Sequence, residues 1–188
     1  METGLSDSIV LVTGGAGGIG ESICRAFASE GAKVIVHYHE STENADKIAN
    51  EIDGFSIKTD LRDSSQALAL IDTIVENFGK IDICVANAGY YPSESKPIWD
   101  IDEERWNQTI SSNLDVAVNT ARGFLREASR TGSGSLVFVG STAGIYGESG
   151  HSDYAAAKGA ITSGLLMSLK NDVSLSLIHI SEPTRPLY

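Results

Sequence analysis

Two residues in the second half of the sequence, Tyr154 and Lys158, have types and a spacing that suit proton transfer. They are four positions apart, so on a helix they share one face. A free tyrosine titrates at a pKa of about 10, and a neighbouring cation stabilises its phenolate form. The pair is therefore suited to protonating a carbonyl oxygen, or to deprotonating an alcohol in the reverse reaction. In isolation, the same spacing is typical of an ordinary surface pair.

A second candidate site is the glycine-rich turn Thr13-Gly-Gly-Ala-Gly-Gly-Ile-Gly20, which follows a short apolar run and precedes a helical segment. Glycines at 14, 18 and 20 would allow a tight turn, close approach of the backbone to a pyrophosphate, and close packing of helix on strand. The helix dipole there favours a phosphate group. A nucleoside-triphosphate loop requires Lys and then Ser or Thr after its last glycine, whereas Glu21 follows here. The turn therefore predicts a dinucleotide site.

The elements that position these residues alternate between short apolar runs and segments of helical period, which is typical of parallel βαβ units. Strands are predicted at Ile9–Thr13, Lys33–Tyr38, Phe55–Thr59, Ile81–Ala86 and Ser135–Val139, and helices from the glycine turn to Glu30 and at Thr42–Ile52, Ala67–Phe78, Asp102–Ser129 and Tyr154–Lys170. Asp100 and Glu103 are spaced as a capping box for the long helix. Because the strands are continuously apolar, we predict an α/β fold, a Rossmann-type doubly wound parallel sheet with helices on both faces.

Together these motifs resemble the short-chain dehydrogenase/reductase family, in its single-domain branch. The resemblance rests on Thr13-Gly-x-x-x-Gly18-Ile19-Gly20, Asn87-Ala88-Gly89, Asn113, Ser141 and Tyr154-x-x-x-Lys158, with Ser141 thirteen residues before Tyr154. It implies an NAD(P)-dependent oxidoreductase that transfers hydride between a nicotinamide cofactor and a carbonyl/alcohol substrate, with a carrier-bound 3-oxoacyl thioester as one candidate. It also implies a homo-oligomer, a dimer or tetramer, for the full-length protein.

The resemblance implies a catalytic set of Asn113, Ser141, Tyr154 and Lys158, and no metal. Tyr154 exchanges the proton, Ser141 holds and polarises the substrate oxygen, Lys158 also binds the cofactor ribose, and Asn113 positions a water. Taken alone, Ser141 also fits a turn or a helix cap, and Asn113 a solvent-facing helix position. The implied cofactor-binding residues are Thr13, Gly14, Gly18, Ile19, Gly20, Tyr38, Asp60, Leu61, Asn87, Ala88, Gly89, Tyr154 and Lys158. Of these, Asp60 is expected to contact the adenine, and Asn87 to Gly89 to line the nicotinamide side.

The second strand ends in His37-Tyr38-His39, and this ending bears on the choice of cofactor. A site for NAD would carry Asp or Glu there to accept from the ribose 2′-hydroxyl. Tyr38 occupies that position, so NADP(H) is favoured over NAD(H), although neither Arg nor Lys is present to bind a 2′-phosphate. His37 and His39 could each donate to a 2′-phosphate, but both are predicted to be surface residues rather than ligands.

Composition limits the partners and the location. The formal net charge of −11 argues against nucleic acid. Neither a signal peptide nor an apolar run of about 20 residues is present, so we predict no membrane partner and a cytoplasmic location. Cys24 and Cys84 are predicted to be core residues. Arg122, Arg126 and Arg130 form a strip that we interpret as a solvated face paired with acids such as Glu127, with docking of an acidic carrier protein as the alternative. The predicted substrate wall consists of Tyr90, Tyr91, Ile145, Tyr146 and His151.

The last residues depart from the family pattern. Pro183 and Pro186 make them a poor helix and a poor central strand, and they resemble translated adaptor sequence. We expect residues 1–171 to form the NAD(P)-binding domain and residues 172–188 to be a non-native or disordered tail. The fold would then lack the last strands of the family and leave the fifth strand at the edge. The alternative function is a truncated, non-catalytic dinucleotide-binding module.

Overall fold

A computed structural model describes residues 3–174 and 179–180 of the chain. Within these residues the strands are β1 (Ile9–Val12), β2 (Lys33–Tyr38), β3 (Phe55–Lys58), β4 (Ile83–Ala86), β5 (Ser135–Phe138) and β6 (His179–Ile180). The α-helices are α1 (Gly18–Ser29), α2 (Thr42–Glu51), α3 (Ser64–Phe78), α4 (Glu103–Ile110), α5 (Val116–Thr131), α6 (Ala143–Tyr146), α7 (Ser152–Gly159) and α8 (Leu166–Ser174). No helix of this part of the chain is both long enough and apolar enough to span a bilayer.

The strands form one parallel sheet in the order β3-β2-β1-β4-β5-β6. Val10 of β1 lies opposite Val34 of β2 on one side and Ile83 of β4 on the other. The chain moves outward from β1 through β2 to β3 and then crosses back to β4, so the direction of winding reverses between β1 and β4. In sheets of this kind, ligands bind in the crevice beyond the carboxyl ends of the strands at that point.

The continuous apolar character of the strands reflects a sheet that is covered on both faces. Successive strand residues point to opposite faces. Val10 and Val12 belong to the core beneath α1 and α2, whereas Leu11 packs in the larger core with Ile74 of α3 and Phe124 of α5. The predicted α/β class with helices on both faces is therefore confirmed. Both cysteines are free and buried, one in each core, as predicted.

The start of the long helix corrects one prediction. Asp102, not Asp100, caps α4, since its carboxylate accepts from the Arg105 backbone N–H at 2.8 Å. Asp100 instead closes a short 3₁₀ turn at Ile98–Asp100. The capping-box spacing was misleading because a carboxylate two residues further on is equally able to satisfy the first turn of the helix.

Two helices that the periodicity predicts as regular contain wide turns. Residues Ser111–Asp115 form a π-helical turn between α4 and α5, and Ala160–Leu165 form another between α7 and α8. Such turns insert one extra residue into the helix and often occur at functional sites. The first turns the Asn113 side chain inward, where it is completely buried, and so rejects a solvent-facing Asn113.

The end of the described chain differs from the prediction for β5. Residues 179 and 180 form β6, which pairs in parallel with Ser135 and Leu136. The prediction that β5 is the edge strand is therefore wrong for the first two residues of β5. Helix α8 continues to residue 174, and Val173 is buried in the larger core. The remaining tail, residues 175–178 and 181–188, lies outside the described residues, and its origin stays a prediction.

Candidate active site

The glycine turn joins β1 to α1 and has no room for side chains at its centre. Gly14 has a positive φ of 63°, and a Cβ on it would lie 2.9 Å from the Ala88 Cα. A Cβ on Gly20 would lie only 2.1 Å from the Gly14 carbonyl oxygen, far inside contact distance. A Cβ on Gly18 would meet nothing within 4 Å, so the backbone there is open to a ligand. The turn therefore has the close internal packing and the open approach that a diphosphate needs.

A cleft of about 600 Å³ opens at the carboxyl ends of β1, β2, β3 and β4. The first turn of α1 has no side-chain cap, which leaves its N–H groups to a bound anion. The volume lies within the usual range for a site that holds a cofactor. The predicted cofactor residues that line the cleft are Gly14, Gly18, Ile19, Gly20, Tyr38, Asp60, Leu61, Asn87, Ala88 and Gly89.

Thr13 is buried beneath this cleft and joins its two central loops. The Thr13 hydroxyl accepts from the backbone N–H groups of Asn87 and Ala88, both at 3.0 Å, and donates to the Val85 carbonyl at 3.3 Å. The Asn87 side-chain amide donates in return to the Thr13 and Gly14 carbonyls at 2.9 and 3.2 Å. Thr13 and the Asn87 amide therefore position the glycine turn against the loop after β4.

His37 corrects the prediction that both histidines, His37 and His39, are surface residues. Its side chain is only 2% exposed. Nδ1 accepts from the Gly14 backbone N–H at 3.1 Å, and Nε2 donates to the Thr59 carbonyl at 3.0 Å. This pattern requires the neutral ring, and burial lowers the pKa of His37 from 6.5 to about 4. His37 is therefore unable to supply a positive charge to a 2′-phosphate near neutral pH.

The buried neutral His37 makes the stability of the fold depend on pH. Between pH 6.5 and about 4 the unfolded chain binds a proton at His37 that the folded chain does not, so acidification favours unfolding. The nearest charged groups, His39 and Asp60, act in opposite directions on this proton. We expect the free energy of unfolding in urea to fall by about 2 to 3 kcal/mol between pH 7.5 and 4.5 through this residue. His37→Asn should lack that fall, and an identical pH dependence in both proteins would contradict the assignment.

Asp60 and Arg62 form an ion pair where the cleft passes the end of β3. Asp60 binds Arg62 through both side-chain oxygens, with the shortest contact at 2.7 Å, and this pairing lowers the pKa of Asp60 to about 2. His39 is 41% exposed, as predicted for a surface residue, and its Nε2 lies 3.7 Å from the Asp60 carboxylate. Sequence reasoning missed Arg62, whose only signal was its position immediately after the Asp60-Leu61 pair.

Lys158 and Asn113 meet at Gly89, which lines the cleft after β4. Lys158 is only 5% exposed, and its Nζ donates to the Val139 carbonyl at 2.9 Å. Burial lowers its pKa below the usual range of lysine. A Cβ on Gly89 would lie 2.8 Å from the Asn113 Oδ1 and 3.5 Å from the Lys158 Nζ, so only glycine fits between them.

The side-chain amide of Asn113 is held by three hydrogen bonds to the backbone. Its Nδ2 donates to the carbonyls of Tyr90 and Thr109 at 2.7 and 2.9 Å, and its Oδ1 accepts from the Tyr90 N–H at 3.2 Å. The amide thus holds the loop after β4 against the π turn.

Tyr154 lies in an aromatic environment next to Lys158. The Lys158 Nζ is 5.8 Å from the centre of the Tyr154 ring. The Tyr91 ring packs edge-on against Tyr154 at 5.0 Å and stacks on the His151 ring at 4.6 Å. The Tyr91 hydroxyl donates to Glu148 at 2.6 Å, which joins the loop after β4 to the segment before α7. Of the predicted wall, Tyr91 and His151 contact each other beside Tyr154, while Ile145 and Tyr146 remain exposed.

Ser141 follows β5 and is positioned by α6. Its Oγ accepts from the Ala143 N–H at 3.2 Å. A Cβ on Gly144 would lie 2.6 Å from the Gly159 backbone nitrogen, so α6 and α7 pack backbone to backbone. This contact brings the segment after Ser141 against the helix that carries Tyr154 and Lys158. The structure therefore places Lys158 near both Asn113 and the Tyr154 ring, and it packs the segment after Ser141 against α7 through α6.

A buried ion pair beside Tyr154 was not found by sequence reasoning. Asp153 is completely buried, and its carboxylate accepts from Arg105 Nε at 3.0 Å and from the Thr109 hydroxyl at 2.9 Å. Burial raises the pKa of Asp153, but these hydrogen bonds outweigh it and leave the pKa below its usual range. Arg105 also donates to the carbonyls of Glu94 and Gly150 at 2.7 and 3.2 Å. It therefore joins both loops that border the site to the first turn of α7.

Removing one partner of this pair should be costly. We expect Arg105→Leu to lower the free energy of unfolding by about 3 to 5 kcal/mol, because it leaves the Asp153 carboxylate buried without its cation. The double variant Arg105→Leu/Asp153→Asn should recover part of that loss, since no charge then remains buried. Urea unfolding of the three proteins measures this. A double variant that is less stable than Arg105→Leu would contradict the interpretation.

The arginine strip on α5 is largely paired, in agreement with its interpretation as a solvated face. Arg126 forms an ion pair with Asp72 of α3. Arg130 forms one with Glu127 at 2.7 Å, the acid that the sequence suggested.

Comparison with known proteins agrees with the fold and the motifs. The sequence model of the short chain dehydrogenase family matches residues 8–182. A 3-oxoacyl-acyl-carrier-protein reductase FabG of Staphylococcus aureus is 31% identical over 169 residues, which are 87% of this chain and 68% of the relative. The FabG of Thermotoga maritima is 33% identical over 162 residues, 84% of this chain and 65% of the relative. A cis-4-hydroxycyclohexanecarboxylate dehydrogenase of Sinomonas cyclohexanicum is 31% identical over 166 residues, 86% of this chain and 66% of the relative.

A solved structure extends the likeness to three dimensions. A short chain dehydrogenase from Mycobacterium avium superposes with a TM-score of 0.86 at 28% identity, covering 94% of this chain and 68% of the other. The chain therefore belongs to the short-chain dehydrogenase family of NAD(P)-dependent oxidoreductases. It spans about two thirds of the length of these relatives.

Proposed function

We propose that this protein reduces a carbonyl group to an alcohol, and reverses that reaction, with Tyr154 as the proton donor and acceptor. One observation carries the proposal: the buried Lys158 ammonium lies 5.8 Å from the centre of the Tyr154 ring and next to Gly89, which lines a cleft suited to a dinucleotide. A module that only binds a cofactor needs no proton donor next to a buried cation. A nicotinamide cofactor, when bound, supplies the hydride to the carbonyl carbon.

The residues of the chain would divide the remaining work. The Ser141 hydroxyl lies beyond the carboxyl end of β5, where it would hold and polarise the substrate oxygen. Tyr154 would then donate its phenolic proton to that oxygen as the alcohol forms. The Lys158 cation would stabilise the phenolate that remains.

Lys158 has the donors for a second role. An ammonium group carries three N–H donors, and the Val139 carbonyl takes one of them. The other donors would bind the cofactor ribose and a water that is held near the backbone of Asn113. That water would return a proton to Tyr154 through Lys158. The wide turn at Ser111–Asp115 supports this arrangement, because it brings Asn113 under Gly89 and next to Lys158.

The substrate class that we propose is a 3-oxoacyl thioester, on the basis of the FabG relatives. The purified chain should oxidise NADPH in the presence of acetoacetyl-coenzyme A, measured as loss of absorbance at the nicotinamide band. A cyclic ketone such as 4-oxocyclohexanecarboxylate is the comparison substrate, because a cyclohexanecarboxylate dehydrogenase is also similar to this chain. Turnover of the cyclic ketone alone would reject the thioester, and turnover of neither would reject the reductase.

We propose NADP(H) as the preferred cofactor, since Tyr38 rather than a carboxylate is the last residue of β2, and Arg62, which is paired with Asp60, lines the cleft after β3. Adding a carboxylate there should reverse the preference, because it would repel a 2′-phosphate and accept from a free 2′-hydroxyl. We therefore expect Tyr38→Asp to weaken NADPH binding by roughly tenfold or more relative to NADH. Tyr38→Asn is the uncharged control. Fluorescence titration with both cofactors measures the ratio, and tighter binding of NADH by the unmodified chain would contradict the preference.

A further inference from the structure

His37 lies directly behind the glycine turn, and the proposed chemistry leaves it without a role. His37 holds that turn through two acceptors. Its side-chain Nδ1 accepts from the Gly14 N–H at 3.1 Å, and its main-chain carbonyl accepts from the Gly15 N–H at 2.8 Å. Nε2 donates to the carbonyl of Thr59, the residue that follows β3. One side chain therefore connects the turn after β1 with the ends of β2 and β3.

The hydrogen bond to Gly14 fixes a residue on which the rest of the turn depends. Gly14 is at positive φ, its carbonyl accepts from the Gly17 N–H at 3.1 Å, and it is in close contact with Gly20 and Ala88. Without its acceptor, the Gly14 N–H would be a donor with neither a protein partner nor full hydration, which is unfavourable. The Thr13–Gly14 peptide would then tend to rotate so that this N–H points toward the cleft. Such a rotation would displace the carbonyl of Thr13, which accepts from the Asn87 amide.

The tautomer of His37 is determined by these partners. Nδ1 faces a donor and Nε2 faces an acceptor, so the ring is neutral with its proton on Nε2. A protonated ring would present an N–H to the Gly14 N–H. His37 lines the cleft but is only 2% exposed, which suits a role through Gly14 rather than a direct contact with charge.

We propose that His37 is a positioning residue for the cofactor, whose neutral imidazole holds the glycine turn in the conformation that accepts the diphosphate. This inference rests on the proposed dinucleotide site. Without the His37 imidazole, a smaller fraction of the molecules has the turn in the conformation that binds the cofactor. The apparent dissociation constant of the cofactor then rises by the inverse of that fraction. His37 orders the turn before the cofactor binds. Its loss should therefore weaken cofactor binding and not only lower the stability of the fold.

Calorimetric titration of the purified chain with NADP⁺ at pH 7.5 tests the proposal without a substrate. His37→Leu removes the acceptor for the Gly14 N–H, and we expect its dissociation constant to rise at least tenfold, which corresponds to about 1.4 kcal/mol. His37→Asn keeps a side-chain oxygen that can accept from Gly14, so its constant should stay within about threefold of the unmodified protein. Ile74→Val in the core between α3 and the sheet is a destabilised control that should bind normally.

The outcomes separate the possible explanations. The positioning role would be overturned if His37→Leu bound NADP⁺ as tightly as the unmodified chain, or if His37→Leu and His37→Asn weakened binding equally. Either result would leave the dinucleotide site intact. Failure of the unmodified chain to bind either NADP⁺ or NAD⁺ would overturn the site and this inference together. If His37→Leu does not fold, ¹⁵N NMR of the imidazole in the unmodified chain, assigned with His37→Asn, still decides. A proton on Nδ1 at pH 7.5 would overturn the proposal.

Discussion

Tyr154→Phe should lower kcat for carbonyl reduction by roughly a thousandfold, since general acid catalysis contributes factors of about 10² to 10⁴. The substitution removes only the phenolic oxygen. The ring that packs against Tyr91 at 5.0 Å and lies near Lys158 is retained, so the aromatic cluster and the fold should be unaffected. Cofactor affinity should change little, because the cleft is lined mainly by residues from the carboxyl ends of β1 to β4.

The comparison of turnover with binding identifies the role. Stopped-flow measurement of NADPH oxidation gives the rate of the chemical step, and fluorescence titration of the same variant gives the dissociation constant. If the variant loses turnover and cofactor binding together, Tyr154 supports the structure of the cleft instead of exchanging a proton. Retention of more than about a tenth of the rate would reject Tyr154 as the proton donor.

Gly20→Ala should abolish dinucleotide binding and lower the free energy of unfolding by about 3 kcal/mol or more. Its Cβ would lie 2.1 Å from the Gly14 carbonyl oxygen and 2.8 Å from the Gly15 Cα, and both are backbone atoms that a side-chain rotation cannot relieve. The turn would have to open, which separates Gly14 from His37 and from the loop after β4.

Gly18→Ala is the matched control for this effect on stability. It lies in the same turn, two residues earlier, and its Cβ would meet nothing within 4 Å. Because alanine favours a helix over glycine, the melting temperature of this variant should stay the same or rise. Thermal unfolding by circular dichroism compares the two variants. Equal destabilisation by both would show that the close packing at Gly20 is not the cause.

The sequence was sufficient for the sheet and for the position of the cleft. Short apolar runs predicted β1 to β5 to within two residues at each end, most clearly for β1, whose four residues are all buried. The glycine turn, Asn87 to Gly89 and Asp60 were predicted to line one cofactor site, and all of them lie around the same cleft. These features follow from local spacing and from the order of the elements along the chain.

Features that depend on long-range pairing were beyond the sequence. The hydrogen bonds of His37 join residues 23 and 22 positions away, so neither its burial nor its neutral state has a local signal. Arg105 and Asp153 are 48 positions apart, and each alone looks like an exposed charge. The π turn at Asn113 is likewise hidden, since one extra residue changes the helical period too little to be seen. Each of these features depends on burial, which only the folded structure reveals.

The most direct test of the central claim is the transfer of deuterium from NADPH labelled at the nicotinamide C4 to acetoacetyl-coenzyme A. The purified chain is incubated with each stereoisomer of the labelled cofactor, and the alcohol product is analysed by mass spectrometry. We predict that one of the two isomers delivers its deuterium to the carbonyl carbon, and that Tyr154→Phe yields no product in the same time. A product that carries no deuterium from either isomer would contradict hydride transfer, and a protein that binds NADPH but forms no product would contradict the assignment as a reductase.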